Sequence, residues 1–321
     1  MTFPTLLARC ARAARAALAL GVAPLAAQVA PPDSAAAAAP AGPPGTDLWV
    51  ATLSVRGAAV RVGEPENITR RAGYDNQPAF TRDGRAVLYT SIGEDGQAEI
   101  HRWDRRARTT SRLTTTPESE YSPTPLPSGR GFSTIRVEAD STQRLWRFDA
   151  AGGAPALVLE RVKPVGYHAW ADERTLALFV LGDPPTLQLA DTRSGAARVV
   201  ADSIGRSLHR IPGRAAAISF VRKQGDGDWW IQRLDVRSGA ITKLLRTLVG
   251  SEDHAWTPQG VALMARGTVL YAWDPKRDAG WREVARFGAP GLGRITRIAV
   301  SPSGDRIAFA ADEVAPGVTT P

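Results

Sequence analysis

The sequence contains one cysteine, Cys10, among 321 residues, and only four lysines among its 40 basic residues. A single thiol excludes an internal disulfide and a cysteine pair for zinc. The sequence also lacks a Gly-x-Ser-x-Gly elbow, a His-Glu-x-x-His pair and a Gly-x-x-x-x-Gly-Lys loop. The sequence therefore has none of the local motifs that are typical of α/β-hydrolases, zinc proteases and P-loop phosphate-binding proteins. On this basis it predicts no catalytic residue.

The N-terminus has the pattern of a bacterial signal peptide. Three arginines precede a short apolar run over residues 16–27, which is too short to span a bilayer. We predict a signal peptide over 1–27 and an Ala/Pro-rich linker over 28–45, followed by one domain over 46–321. The mature protein is then periplasmic or secreted, without a transmembrane segment, and nucleic acid is not an expected partner. Removal of the three arginines lowers the formal charge from +8 to +5.

One motif recurs along the domain. It consists of a leading residue, a short polar turn and an apolar strand, as in Pro78-Ala-Phe-Thr-Arg-Asp-Gly-Arg85. The leading positions are 78, 123, 168, 209, 254 and 298, separated by 45, 45, 41, 45 and 44 residues. A second marker is an apolar strand that ends in aspartate before a tight turn, as at Asp191 and Asp235. A four-stranded unit that repeats at this interval is typical of a β-propeller blade.

The two ends of the domain each supply half a blade. Residues 47–70 provide two strands before the first full unit, and the last unit stops at Asp312 after two strands. Pairing these halves would complete a ring and leave no open sheet edge. The predicted fold is therefore an all-β, six-bladed propeller of four-stranded antiparallel blades, closed by its N-terminal strands.

Two segments resemble the TolB-type propeller repeat. They are Phe80-Thr-Arg-Asp-Gly-Arg85 and Val300-Ser-Pro-Ser-Gly-Asp-Arg306, and the resemblance spans about Asp47 to Asp312. It implies a TolB-like six-bladed β-propeller. Envelope members of that family carry an α/β domain before the propeller, and no segment here has helical periodicity of that length. We therefore expect the propeller alone.

Three of the four histidines, His168, His209 and His254, occupy the leading position in three consecutive units. That position is predicted to start the innermost strand, so the imidazoles should lie near one mouth of the central channel. With Asp253 they form the predicted ligand-binding site, and the three histidines could bind a divalent metal, with Glu252 or Asp253 beside it. Alternatively, each histidine packs between blades and bonds a backbone group, an interpretation favoured by tryptophan two residues after two of them.

Two surface features offer other sites. Either Trp229 or Trp281 could be a surface platform for a sugar or peptide, whereas most of the other tryptophans are expected to pack between blades. An arginine cluster around the turn after Asp104 is either a solvated face or a site for an anionic partner. Its members are Arg102, Arg105, Arg106, Arg108 and Arg112.

We predict a non-catalytic module that binds a protein or peptide of the cell envelope, because a rigid ring presents many loops on one face. A glycan is a further expected partner, and the protein is expected to be a monomer. No cofactor is required. The alternative is a metal-assisted hydrolase, lyase or lactonase with a histidine-lined channel.

Overall fold

The computed structural model describes residues 43–213 and 216–314. These residues form 25 strands in six antiparallel sheets and contain no helix. The predicted signal peptide and the linker up to residue 42 lie outside the described residues. The all-β, six-bladed propeller predicted from the repeat is confirmed.

The strands follow the repeat in chain order. The chain begins with β1 (Thr46–Arg56), β2 (Ala59–Val62) and β3 (Glu66–Asn67). Blade 1 contains β4 (Asp75–Phe80), β5 (Ala86–Ile92), β6 (Ala98–Asp104) and β7 (Thr109–Arg112). Blade 2 contains β8 (Ser119–Pro125), β9 (Phe132–Val137), β10 (Gln143–Phe148) and β11 (Ala156–Leu157). Blade 3 contains β12 (Val165–Trp170), β13 (Thr175–Val180), β14 (Thr186–Asp191) and β15 (Ala197–Asp202).

The second half of the chain continues in the same way. Blade 4 contains β16 (Ile204–Arg210), β17 (Ala217–Lys223), β18 (Trp229–Asp235) and β19 (Ile241–Arg246). Blade 5 contains β20 (His254–Trp256), β21 (Ala262–Arg266), β22 (Val269–Trp273) and β23 (Arg282–Arg286). Blade 6 consists of β24 (Leu292–Val300), β25 (Arg306–Glu313), β1 and β2, with β3 paired to β1.

The sixth blade closes the ring. β1 pairs antiparallel with β25, with Trp49 opposite Phe309 and Val50 opposite Ala308. The N-terminal strands are therefore the outer half of a blade whose inner half is C-terminal, as the sequence predicts. Closure of this kind removes the open edges that would otherwise pair with other chains.

Burial changes from the inside of each blade to its outside. In blade 1 the second strand β5 is buried along nearly its whole length, whereas all four residues of β7 are exposed. The second strand is covered on both faces because each blade lies between two neighbours, so it has the continuous apolar composition of a doubly covered strand. The apolar core therefore lies at the interfaces between blades. One example is Phe309 of blade 6, which stacks on Phe287 of blade 5 with ring centroids 5.2 Å apart.

The aspartate-containing turns form as predicted. The Asp191 carboxylate accepts hydrogen bonds from the backbone N–H groups of Arg193 and Ser194, at 3.0 and 2.8 Å. Gly195 then adopts a positive φ of 70°, which costs glycine little because it has no Cβ. This geometry explains why the turn ends in glycine.

The starts of some inner strands differ from the prediction. β12 begins at Val165 and β16 at Ile204, so His168 and His209 lie in the second half of their strands, and only His254 begins its strand. The inner strands pair with the second strands from residues that precede the leading histidine, with register shifts between Val165 and Tyr167 and between Ile204 and Leu208. Bulges of this kind accommodate an extra residue in one strand.

No helix among residues 43–213 and 216–314 is long and apolar enough to cross a membrane.

Candidate functional site in the central channel

A cavity of about 610 Å³ occupies the centre of the ring. The inner strand of every blade and the turn after it line this cavity, so it is the central channel of the propeller. All six leading positions of the repeat contribute: Pro78, Pro123, His168, His209, His254 and Ile298. The volume is within the range of ligand pockets, roughly 300 to 1,000 Å³.

The two ends of the channel differ in chemistry. Before the leading position, the lining includes Tyr167, Arg206, Asp253 and Arg297, which we call the polar mouth. After it, the strand-connecting turns contribute four prolines, Pro127, Pro212, Pro258 and Pro302. Charged side chains lie at this end too, namely Arg82, Asp172 and Arg210, so a ligand would meet charged groups at both ends and proline rings at one.

His254 lies in a continuous hydrogen-bond network. Its Nε2 is 2.8 Å from Ser219 Oγ, and its Nδ1 is 3.0 Å from Ser207 Oγ. Ser207 Oγ is also 3.2 Å from His209 Nε2, and the rings of His209 and His254 are 4.9 Å apart. The Ser219 hydroxyl additionally accepts a hydrogen bond from Trp256 Nε1 at 2.8 Å. Both ring nitrogens of His254 are thus engaged with serine hydroxyls.

His168 has the same anchor in another interface. Its Nε2 is 2.7 Å from Ser133 Oγ, and Trp170 Nε1 donates to the same oxygen at 2.9 Å. Ser133 lies on blade 2 and His168 on blade 3, so the contact joins neighbouring blades. The Nδ1 atom of His168 is buried without a hydrogen-bond partner among the described residues. Inter-blade packing, the alternative considered from the sequence, thus describes both His-Ala-Trp segments, although the partner is a serine side chain.

His209 does not bond a serine of the preceding blade as His168 and His254 do, because that blade has no serine at the required position. In their sheets, Ser133 and Ser219 each lie opposite the residue two positions before the aspartate at the end of the third strand. In blade 3 the residue at this position is Ala177. Alanine offers no hydroxyl to the blade that follows. His209 therefore bonds within its own strand to Ser207.

Burial keeps these imidazoles neutral. It lowers the pKa of His168 to about 3 and the pKa of His209 to about 4. Burial, and then the neighbouring His209, lower the pKa of His254 well below its ordinary value. Desolvation disfavours the charged form of any buried imidazole. All three side chains are therefore uncharged at neutral pH.

The three histidines do not form one cluster with acidic side chains. Within residues 43–213 and 216–314, no group of three or more His, Cys, Asp or Glu side chains is arranged to hold a metal ion. Asp253 instead bonds Arg206 and Arg297. A metal bound by the three histidines stays a prediction from the sequence, and its direct test is given below.

The polar mouth is a network that the sequence analysis identified only through Asp253 and Glu252. Asp253 Oδ2 accepts from Arg206 Nη2 at 2.9 Å and from Arg297 Nη1 at 3.1 Å. Glu252 lies 3.4 Å from Arg206 and 2.9 Å from Lys223. Burial alone would raise the pKa of Glu252, but Arg206 and Lys223 lower it below its ordinary value. Tyr167, Asp253 and Arg297 immediately precede aligned leading positions, and this alignment could have identified them.

The other predicted surface sites also have defined surroundings. Lys223 lies 4.2 Å from the ring centre of Trp229, and Trp281 donates its Nε1 proton to the Arg246 carbonyl oxygen at 2.8 Å. In the arginine cluster, four of the five side chains meet carboxylates. These pairs are Arg102 with Asp104, Arg105 with Asp305, Arg108 with Glu66 and Arg112 with Glu99. Carboxylates of the protein itself thus balance most of that charge.

Similarity to solved structures agrees with this architecture. A TolB-like protein from Agrobacterium tumefaciens superposes with a TM-score of 0.65 at 15% identity, over 84% of this chain and 99% of that one. The chain has a TolB-type propeller fold. TolB from Acinetobacter baumannii gives a TM-score of 0.55 at 13% identity, over 83% of this chain and 64% of the TolB chain.

A solved structure described as an enzyme is similar too. An oligogalacturonate lyase in complex with manganese gives a TM-score of 0.52 at 15% identity, over 78% of this chain and 80% of the lyase. No family model and no curated protein matches the sequence. At these identities the similarity is one of fold, so function has to be argued from the site.

Proposed function

We propose that the protein is a non-catalytic module that binds a protein or peptide of the cell envelope in its central channel. The observation that carries this proposal is the cavity itself, which all six blades line and which has a ligand-sized volume. The histidines in its wall are neutral and bonded to serines, so they contribute to the scaffold. Location in the envelope rests on the predicted signal peptide.

The arrangement of the histidines and serines supports binding over covalent chemistry. Ser207 Oγ lies near His254 Nδ1 and His209 Nε2, and it also accepts a hydrogen bond from the backbone N–H of His254 at 3.1 Å. A nucleophilic serine needs an available lone pair and an open approach. Ser207 is 5% exposed, and its oxygen is surrounded by these three nitrogens. The site is therefore better suited to holding a ligand than to attacking one.

Site-specific cross-linking tests the proposal. A photo-reactive phenylalanine derivative is placed at Arg210, which lines the channel, and in a matched variant at Val199, which is 59% exposed on β15. Both variants are expressed in the native bacterium and irradiated. We expect a discrete adduct with an envelope protein from position 210 and none from position 199. No adduct at 210, or the same adducts from both positions, would contradict binding in the channel.

A further inference from the structure

The charged residues that line the channel are predominantly basic. The lining contains four arginines and two aspartates, an excess of two positive charges, with all the histidines neutral. These residues are Arg82, Arg206, Arg210, Arg297, Asp172 and Asp253. A cleft with walls of low dielectric constant focuses such a charge and raises the local concentration of anions. The channel should therefore favour an anionic ligand.

Arg206 and Arg297 are held in fixed positions at the polar mouth. Both guanidinium groups bond the same oxygen of Asp253, and Arg297 Nη1 also donates to the Thr296 carbonyl oxygen at 2.8 Å. With Glu252 and Lys223, which flank Arg206, three positive charges meet two carboxylates, so one positive charge remains unbalanced. Guanidinium groups that are already oriented lose less conformational freedom when they bind a second, planar anion.

Tyr167 adds a neutral donor beside Arg297. Its hydroxyl oxygen accepts from Arg297 Nη2 at 3.2 Å, and the guanidinium lies 5.7 Å from the centre of the tyrosine ring. The hydroxyl proton remains available for donation, and Tyr167 lines the cavity. Arginine and tyrosine donors next to each other match the two oxygens of a carboxylate.

We propose that the polar mouth binds a carboxylate of an acidic peptide, which Arg206, Arg297 and Tyr167 contact directly. This inference rests on the proposed function and specifies its ligand. The carboxylate is supplied by an aspartate or glutamate side chain or by a C-terminus. Adjacent apolar residues of the channel, such as Pro78 and Ile298, would contact uncharged parts of the same peptide.

Four labelled peptides test the inference. The probe is Gly-Ala-Pro-Glu-Ala-Glu-Ala with an uncharged BODIPY dye on its N-terminus, prepared with glutamate or glutamine and with a free or an amidated C-terminus. Fluorescence anisotropy measures each affinity for the mature protein at two salt concentrations. We expect the peptide without any carboxylate to bind at least about tenfold more weakly, which corresponds to one charge-assisted hydrogen bond. Comparison of the four forms identifies which carboxylate is bound.

Variants test the assigned residues. Tyr167→Phe removes only the hydroxyl, and Arg297→Gln removes one guanidinium, while Asp253 keeps Arg206 as a partner. Both changes should weaken binding of the glutamate peptide by several-fold to about tenfold and leave binding of the uncharged peptide unchanged. The control is Arg193→Gln, which removes the same charge from an exposed turn outside the channel. If Arg297→Gln does not fold, as judged by circular dichroism, Tyr167→Phe decides.

The results separate this inference from the proposed function. Equal binding of the acidic and uncharged peptides, or equal losses in Arg193→Gln and Arg297→Gln, would overturn the carboxylate assignment. Peptide binding in the channel would still stand. If none of the four peptides binds, the carboxylate inference is also overturned, and the cross-linking experiment alone then decides the proposed function.

Discussion

Ser133 and Ser219 each bond a histidine and a tryptophan of the following blade. Both serines are fully buried, and so nearly are His168 and His254. An indole N–H can only donate, so the serine oxygen must accept from the tryptophan. A buried polar group that loses its partner costs about 1 to 3 kcal/mol, so each serine contributes to the stability of one interface.

Ser219→Ala tests this contribution. The substitution leaves Trp256 Nε1 and His254 Nε2 without their common partner. We expect the free energy of unfolding to fall by about 1 to 3 kcal/mol, measured by urea denaturation. The control is Ser111→Ala on the exposed strand β7, which should change stability by less than about 0.5 kcal/mol. Equal effects of the two substitutions would contradict the role assigned to Ser219.

The buried histidines predict a loss of stability in acid. Their folded-state pKa values lie below the unfolded value of 6.5, so the unfolded chain binds more protons as the pH falls. Their contribution is therefore complete above pH 6.5 and declines below it, by about 1.4 kcal/mol per pH unit for each histidine. Burial raises the pKa of Glu120 to about 7, which acts in the opposite direction between its unfolded pKa and pH 7.

Urea denaturation from pH 7 to pH 5 measures this balance. Four histidines with lowered pKa values, His101 among them, outweigh three carboxyl groups with raised pKa values, Glu120, Asp75 and Glu313, so the unfolding midpoint should decrease on acidification. In His168→Gln the free energy of unfolding should depend less steeply on pH, by about 1.4 kcal/mol per pH unit, because one proton fewer is taken up on unfolding. A pH dependence identical to that of the unmodified protein would show that His168 is not neutral in the folded state.

At the scale of the element, the blades were predictable because each repeats a local pattern. The repeat predicts four short strands in the first full blade, and the structure has four, Asp75–Phe80, Ala86–Ile92, Ala98–Asp104 and Thr109–Arg112. Turn aspartates and glycines mark these boundaries. The polar mouth was not predictable to the same degree. Arg206 and Arg297 meet Asp253 from positions 47 and 44 residues away, and nothing local in the sequence encodes that pairing.

The closing strand β1 gives a test at this scale. Leu48 is fully buried in the interface between blades 6 and 1, opposite Ala310 of β25. Leu48→Ala should lower the free energy of unfolding by about 2 to 5 kcal/mol, since it leaves a cavity in the strand that joins the chain ends. Val199→Ala, on an exposed outer strand, should have almost no effect. A small effect of Leu48→Ala would show that closure contributes little to stability.

At the scale of the whole molecule, the ring holds all six inner strands around one cavity. The same fold occurs in proteins described as TolB and as a manganese-containing lyase. Fold therefore does not separate binding from metal-assisted chemistry. The histidine nitrogens bear on this question, because a metal ion needs their free lone pairs, and those of His254 are already bonded to serine hydroxyls.

Metal analysis of the purified protein decides between these functions. A metal ion on His254 would break its bond to Ser207 or to Ser219. We therefore expect less than stoichiometric manganese or zinc after incubation and desalting, by elemental mass spectrometry. One equivalent of metal that is lost in a folded His168→Ala/His209→Ala/His254→Ala variant would instead support the metal-assisted hydrolase, lyase or lactonase.

The serine anchors also make the interfaces of the ring unequal. Ser133 and Ser219 are 86 residues apart, and the same interval separates His168 from His254 and Trp170 from Trp256. Blade 3 has Ala177 at the equivalent position and offers no hydroxyl to blade 4. A buried hydroxyl thus couples blade 2 to blade 3 and blade 4 to blade 5, but not blade 3 to blade 4.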